Sequence, residues 1–217
     1  MASTPGDLFV AIEAGEADLV RAVLASAPSR ARTRDAEGVS ALMRARYRQD
    51  PELLAAVREH AGDLDVFEAS ALDDAGRIRV LLAQEPSLAT ARSADGFTPL
   101  HLAAFFGGIE VANLLLDAGA GPNEAGIGWM KGTPLHSAAS ARNAEVAVAL
   151  VNAGADPNAR QSGGWTPLHS AAANGDEALV RVFLDAGADP DAVNDDGRTA
   201  RELAAASRDM GTIAALG

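Results

Sequence analysis

Short apolar segments at helical spacing recur along the chain in closely spaced pairs. In one pair, the residues from Leu100 to Phe106 form a first segment and those from Ile109 to Asp117 form a second. Gly107 and Gly108 separate them, and Gly119 follows the second segment, where a left-handed residue commonly ends a helix. The pattern predicts two short helices joined by a tight turn.

A four-residue motif opens three of these pairs. Thr-Pro-Leu-His begins at Thr98, Thr133 and Thr166, and a degenerate copy begins at Thr199, so the successive spacings are 35, 33 and 33. Thr favours the N-cap position of a helix, and Pro favours the first helical position, where no N–H partner is needed. A fixed period of this kind is typical of stacked helical repeats.

The N-terminal part lacks this motif but keeps the register. Residues 7–64 align with residues 65–122 at an offset of 58 without a gap. Repeat starts near residues 7, 40, 65, 98, 133, 166 and 199 follow, with spacings of 33, 25, 33, 35, 33 and 33. The short spacing predicts that the second repeat joins the third through Ala61–Leu64 without a complete loop.

The motif Thr-Pro-Leu-His, followed by two helices and Gly-Ala-Asp, resembles the ankyrin repeat, in a form that we interpret as bacterial. The resemblance is strong over residues 95–200. It implies an all-α ankyrin-repeat solenoid of about seven helix-turn-helix repeats with β-turn fingers. We expect one domain over residues 7–217, with the first and last repeats as polar caps. Residues 1–6 are expected to be disordered.

Composition narrows the class of function. The net charge of −12 makes nucleic acid an improbable partner, because nucleic-acid binding needs a dense cationic surface. The chain has no cysteine, hence no disulfide framework and no thiolate nucleophile. We find neither a leader segment nor an apolar run of the roughly 20 residues that a membrane span needs. We therefore expect a monomeric cytoplasmic protein that does not contact a membrane.

The histidines are the most prominent candidates for chemistry, but their spacing argues against it. His101, His136 and His169 occupy the same repeat position. Packed helices lie roughly 10 Å apart, whereas zinc ligands lie about 2 Å from the metal. The ankyrin resemblance implies that these histidines hold neighbouring fingers together. No catalytic motif is recognisable, so we expect no enzyme activity, metal or cofactor.

Structural glycines and aromatics complete the prediction. Gly119, Gly154 and Gly187 are expected to end the second helices, whereas Arg142 replaces a turn glycine and predicts a changed turn shape. Phe9, Phe67 and Phe183 are expected in the core.

By the ankyrin resemblance, the fingers and first helices line a groove for an unknown protein partner. The residues expected there are Tyr47, Phe97, Phe105, Phe106, Trp129, Met130, Lys131 and Trp165, although some of these aromatics could simply pack on their neighbours.

An arginine-rich N-terminal region supports an alternative function. Residues 1–62 carry a net charge of −1, from eight Arg and nine Asp or Glu, so the remainder carries −11. Arg30, Arg32 and Arg34 are placed on a finger, and Arg44, Arg46 and Arg48 on the following helix, where Arg44 and Arg46 depart from the repeat pattern. These arginines either form a solvated surface or contact an anion, an acidic peptide or nucleic acid through their guanidinium groups.

Overall fold

The computed structural model describes residues 7–127, 131–207 and 209–217. The described residues form fourteen α-helices: α1 (Leu8–Ala14), α2 (Ala17–Ser26), α3 (Ala41–Tyr47), α4 (Pro51–Ala61), α5 (Val66–Ala71), α6 (Ala75–Gln84), α7 (Pro99–Phe106), α8 (Ile109–Asp117), α9 (Pro134–Ala141), α10 (Ala144–Asn152), α11 (Pro167–Ala173), α12 (Glu177–Asp185), α13 (Ala200–Ser207) and α14 (Met210–Ala215). The predicted disordered N-terminus lies outside the described residues. The division into seven repeats stays a prediction.

Local sequence explains where α7, α9 and α11 begin. Thr98, Thr133 and Thr166 are N-caps with extended backbone, and each is followed by Pro at the first helical position. The histidine at the third helical position accepts a hydrogen bond from the backbone of the N-cap threonine, which completes a capping box. Each of these helices therefore starts where side chains of the capping box pair the backbone N–H groups that have no partner within the helix.

Small side chains bring the odd-numbered helices close together. Ala103 and Ala104 of α7 are fully buried, as are Ala138 and Ala139 of α9. Successive odd-numbered helices from α5 to α13 pack more extensively than the even-numbered helices beside them. The closer row lies on the inside of the curve, so we call the odd-numbered helices inner and the even-numbered helices outer.

Larger side chains fill the space between the two rows. Leu100, Leu135, Leu168 and Phe183 are almost completely buried in one continuous apolar core. Phe183 is thus a core residue, but the expectation for Phe9 and Phe67 is only partly met. Both are half-buried against the core, because they lie at the edge of short inner helices. The result is an all-α ankyrin solenoid.

Loops connect each outer helix to the next inner helix. Among the described residues, Arg34 and Ser40, and Val193 and Thr199, form isolated antiparallel bridges at the bases of their loops. We call the loops at 33–40, 91–98, 118–133, 153–166 and 186–199 the fingers. Arg30 and Arg32 lie in a 3-10 turn, Pro28–Arg32, and not on a finger as expected. Between α4 and α5 the connection is only residues 62–65.

Left-handed backbone ends helices at the predicted glycines. Gly119, Gly154 and Gly187 have φ values of 91°, 89° and 88°. The expected change in turn shape at Arg142 is wrong, because Arg142 itself adopts the left-handed conformation, with φ 58°. Its guanidinium donates a hydrogen bond to the Asn174 carbonyl, which helps to offset the roughly 1 kcal/mol that this conformation costs.

Candidate functional site

Each motif histidine connects its own helix to the following finger. The Nδ1 atom of His101 accepts a hydrogen bond from the Thr98 N–H at 3.3 Å, and its Nε2 atom lies 3.0 Å from the Gly132 carbonyl. His136 Nε2 lies 3.1 Å from the Trp165 carbonyl, and His169 Nε2 lies 3.0 Å from the Arg198 carbonyl. A carbonyl can only accept, so these contacts require a proton on Nε2 and leave Nδ1 unprotonated.

Burial keeps these imidazoles neutral. It lowers the pKa of His136 to about 4, and the hydrogen bond to the Trp165 carbonyl offsets only part of that shift. Burial also lowers the pKa of His101 and of His169. Protonating Nδ1 would place a donor opposite the threonine N–H, so the neutral form fits the contact geometry.

Asparagines form a second connection between fingers that the sequence analysis missed. The Asn123 carboxamide donates to the Gly154 carbonyl at 2.8 Å and accepts from the Asp156 N–H at 2.7 Å. Asn158 makes the same pair of bonds to Gly187 and Asp189. A Pro-Asn dipeptide that recurs in successive fingers was the available signal. Together with the histidines, these side chains hold the fingers in fixed positions.

The missing finger between α4 and α5 changes the inner surface. The finger at 33–40 lies directly against the finger at 91–98, where a Cβ atom on Gly38 would fall 2.9 Å from Ala94 Cβ. Helix packing between neighbouring inner helices is weakest between α3 and α5. The fingers at 33–40 and 91–98 are therefore in contact at the place where α3 and α5 pack weakly.

Polar side chains fill the space between α3 and the helices that follow it. Arg46 donates from Nε to the Ala71 carbonyl at 2.9 Å and from its terminal nitrogen to the Phe106 carbonyl at 3.1 Å. Its guanidinium carbon lies 4.6 Å from the centre of the Phe106 ring. Glu68 is buried and accepts a hydrogen bond from the Ser40 hydroxyl at 2.7 Å. Glu68 occupies the position of the motif histidines, a substitution visible in the alignment but not singled out from the sequence.

Four of the predicted aromatics meet at this junction. Tyr47 stacks on Phe106, with ring centres 5.9 Å apart, and Phe97 packs in the same apolar cluster. Phe105 contacts the edge of Phe106 at 4.6 Å. We call these four residues the junction aromatics. All four are half-buried, so much of their apolar surface is already covered by the chain itself.

The polar end of Tyr47 is also occupied. Its hydroxyl donates to the Asp95 carboxylate at 2.6 Å. Burial raises the pKa of the Tyr47 phenol, and the hydrogen bond to Asp95 raises it further. The neutral phenol therefore joins α3 to the finger at 91–98.

Trp165 lies in a separate part of the inner surface. Its half-buried ring packs on the main core and sits 6.0 Å from the His169 ring, so it is not in contact with the junction aromatics. It borders an open groove of about 410 Å³ with Ser140, Gln161 and Ser170. The side chains of Ser140, Gln161 and Ser170 and the Trp165 indole N–H form no hydrogen bond within the described parts of the chain.

The other predicted partner residues are not brought together. Arg44 lies 2.5 Å from Asp35 and also pairs with Glu37. Burial lowers the pKa of Arg44, but the hydrogen bonds to Asp35 and Glu37 outweigh it, so the pKa is raised. Arg48 and Lys131 are exposed. Trp129 and Met130 lie outside the described residues, and the use of all these residues by a partner stays a prediction.

The described residues were also compared with the requirements of metal binding and membrane crossing. Within 7–127, 131–207 and 209–217 no group of three His, Asp or Glu side chains is placed to hold a metal ion. In the same ranges no helix is both long enough and apolar enough for a membrane crossing.

Comparison with known proteins agrees with the helical stack. The family model for ankyrin repeats (3 copies) matches residues 8–126, 66–161, 118–195 and 135–216. The geometry and these matches define a helical-repeat protein. The chain belongs to the ankyrin-repeat family, a non-enzymatic interaction fold.

A kinase shares part of the sequence. A stretch of 51 residues, 24% of this chain, is 45% identical to serine/threonine-protein kinase VIK of Arabidopsis thaliana. The match covers 12% of that kinase, so this chain is similar to only a small part of it.

Proposed function

We propose that this chain is a non-catalytic protein-binding module whose partner docks on the inner surface formed by the fingers and the inner helices. Ankyrin repeats generally mediate protein–protein interactions. We further propose that the chain acts as a cytoplasmic monomer. The partner is a protein, in keeping with the acidic net charge of −12, which disfavours nucleic acid.

The groove beside Trp165 is the observation that carries this proposal. The indole ring lies there beside Ser140, Gln161 and Ser170, and neither its N–H nor these three side chains form a hydrogen bond in the described parts of the chain. Interface anchors are often tryptophans, since one ring supplies both apolar area and a donor. The junction aromatics have less surface available for a partner, because Tyr47 and Phe106 stack on each other. In addition, Tyr47 binds Asp95 and Phe106 contacts Arg46.

Rigid fingers would favour docking. His136 holds the finger at 153–166, which lines the groove. Asn158 of this finger and His169 of α11 both form side-chain hydrogen bonds to the finger at 186–199. A surface that is ordered before binding loses little conformational entropy in the complex. Trp129, Met130 and Lys131, on the longer finger at 118–133, would extend the contact.

Site-specific photocrosslinking tests the location of the partner. A photoreactive amino acid at Ser140 on the inner surface should capture a partner protein from source-cell extract. The same residue at Ala178, exposed on outer helix α12, is the control and should capture much less. Equal capture at both positions would contradict docking on the inner surface.

Truncation then measures the contribution of the tryptophans. With the captured partner, Trp165→Ala should weaken binding by about 2 kcal/mol, as should Trp129→Ala. Leu19→Ala on outer helix α2 is the control, and circular dichroism checks that helicity is retained. Unchanged affinity in both tryptophan variants would refute the proposed contact.

The anion-binding alternative has less support. Arg44 is neutralised by Asp35 and Glu37, and Arg34 pairs with Asp65 at 2.8 Å. Among the arginines of the proposed patch, Arg30, Arg32, Arg34 and Arg48 are exposed on the surface. If the patch did bind an anion, affinity would fall steeply with salt and disappear in Arg44→Glu/Arg48→Glu; salt-independent binding would exclude it.

A further inference from the structure

A recurring ion pair on the outer helices is interrupted between α8 and α10. Glu52, Glu110 and Glu145 each lie in the first turn of an outer helix, two residues after its N-cap. Arg21 of α2 approaches Glu52 of α4 at 3.6 Å, and Arg79 of α6 pairs with Glu110 of α8. In both cases an arginine of one outer helix reaches the glutamate of the next.

The third glutamate lacks its arginine. Asn113 lies five residues after the N-cap of α8, the position that Arg79 holds in α6 and Arg21 holds in α2. Within the described residues, Glu145 forms neither a hydrogen bond nor an ion pair, and it is exposed. Arg21 and Arg79 neutralise the carboxylates of Glu52 and Glu110. Between α8 and α10, by contrast, the carboxylate of Glu145 has no neighbouring arginine among the described residues.

An open apolar groove of about 800 Å³ lies beside this carboxylate. Ile109, Leu116, Val148 and Ala149 supply its apolar surface, and Val148 is 41% exposed. Asp117 supplies a second carboxylate at the edge, also without a partner in the described parts of the chain. The residues that line the groove include no cation.

In the following repeat, an arginine covers the surface that stays exposed on α10. Arg181 of α12 stands at the repeat position that Val148 holds in α10, and it pairs with Glu177 at 2.6 Å. An arginine at this position covers apolar surface with its stem and neutralises a carboxylate. Neither feature is present on α10.

We propose that the outer groove between α8 and α10 binds an amphipathic helix of a basic partner protein. An arginine or lysine of that helix takes the place that Arg21 and Arg79 hold elsewhere and pairs with Glu145. The apolar side of the helix covers Ile109, Leu116 and Val148, and a second cation faces Asp117. Charge complementarity selects a basic helix and disfavours an acidic one.

A defined peptide probe tests this site without knowledge of the natural partner. Helices α8 and α10 have nine residues each, and at 1.5 Å per residue a probe of ~16 residues spans them. The probe is a fluorescent helical peptide with leucines along one side and arginines along its edges. A second peptide has glutamate at every arginine position. Fluorescence anisotropy at two salt concentrations gives the dissociation constants.

We expect the arginine peptide to bind and the glutamate peptide not to bind. Glu145→Gln should weaken binding about tenfold by removing the ion pair, and Val148→Arg should weaken it at least as much. Glu59→Gln is the matched control, because Glu59 is an exposed glutamate near the end of outer helix α4, away from the groove. Its affinity should stay within about twofold of the unaltered protein, as should that of Trp165→Ala.

Four results would overturn the proposal. If Glu59→Gln and Glu145→Gln weakened peptide binding equally, the peptide would be attracted only by the net charge of the protein. Binding that survives Val148→Arg would exclude the apolar surface, and absence of binding to the arginine peptide would exclude the site. A concentration-dependent dimer in sedimentation that disappears in Val148→Arg would make a second copy of this chain the occupant. None of these results bears on the inner surface, because Trp165 lies outside this groove.

Discussion

Neighbouring inner helices are connected by two different side chains. A histidine makes the connection after α7, α9 and α11, and a glutamate makes it between α3 and α5. In the first group, a neutral histidine accepts from its own N-cap and donates to the next finger. Between α3 and α5, Glu68 accepts from the Asp65 N–H at 3.1 Å and from the Ser40 hydroxyl.

The difference follows from what each side chain can donate. A neutral imidazole has one acceptor and one donor, so it can cap a helix and still bind a carbonyl in the following finger. An ionised carboxylate has no donor, so its second oxygen needs a hydroxyl, which Ser40 supplies from the preceding inner helix. Histidine therefore connects forward along the chain, and glutamate connects backward.

Acidification should have the largest effect, and it should act on the histidine junctions. The folded-state pKa of His136 is about 4, below the unfolded value of 6.5. As pH falls from about 6.5 toward 4, the unfolded chain binds a proton that the folded chain excludes, so stability falls. The contribution of His136 is about 3 kcal/mol, from 1.36 kcal/mol per pKa unit.

Urea unfolding at several pH values measures this effect. His136→Gln, whose amide cannot titrate, should reduce the slope of unfolding free energy against pH in the same interval. His101 and His169 add to the slope, since burial lowers the pKa of both. An identical slope in His136→Gln would contradict the contribution assigned to His136.

Removal of the Arg46 guanidinium should have the next largest effect, at the junction between α3 and α5. Arg46→Met keeps an apolar stem but leaves the Ala71 and Phe106 carbonyls without their donor. A cost of about 2–3 kcal/mol is expected. Hydrogen exchange should accelerate in α1–α4 more than in α9–α12. Arg48→Met, at an exposed position, should change stability by less than about 0.5 kcal/mol.

Ser40→Ala should cost less, about 1–2 kcal/mol. The hydroxyl caps α3 through the Met43 N–H at 3.2 Å and donates to Glu68. A double-mutant cycle with Glu68→Gln separates these roles. A coupling energy of at least about 0.5 kcal/mol in thermal or urea unfolding is expected. A coupling near zero would show that the Ser40–Glu68 contact contributes nothing.

Arg142→Gly should have the smallest effect, within about 0.5 kcal/mol. Glycine relieves the left-handed backbone conformation, but the variant loses the contact with Asn174 and gains freedom in the unfolded chain. Gly175→Ala, at an equivalent turn with φ 63°, should cost about 1 kcal/mol. If Arg142→Gly cost as much as Gly175→Ala, the arginine contacts would outweigh the backbone strain.

Parts of the site could be predicted from sequence because they depend on short-range rules. Thr98 as N-cap, Pro99 as first helical residue and Gly119 beyond the helix end follow from capping preferences. The role of Arg46 could not be predicted. It departs from the repeat pattern, but its partners, Ala71 and Phe106, lie 25 and 60 residues away in sequence.

Likewise, only the fold separates Trp165 from the junction aromatics. In sequence Phe97 and Trp165 both precede Thr-Pro and look equivalent. In the structure Phe97 packs in the cluster of Tyr47 and Phe106, whereas Trp165 borders an open groove beside Ser140, Gln161 and Ser170. The missing finger causes the difference, because it brings distant fingers together at one junction and not at the other.

By itself, the sequence determined the ankyrin-repeat family, the all-α class and the ends of the regular helices, because capping and periodicity operate over a few residues. The tertiary structure decided which side chains are consumed by internal contacts and which are free. Arg44 and Tyr47 are occupied, whereas Trp165 and Glu145 present groups without partners in the described chain. That distinction depends on contacts between repeats, where one absent loop or one asparagine in place of arginine changes the available partners.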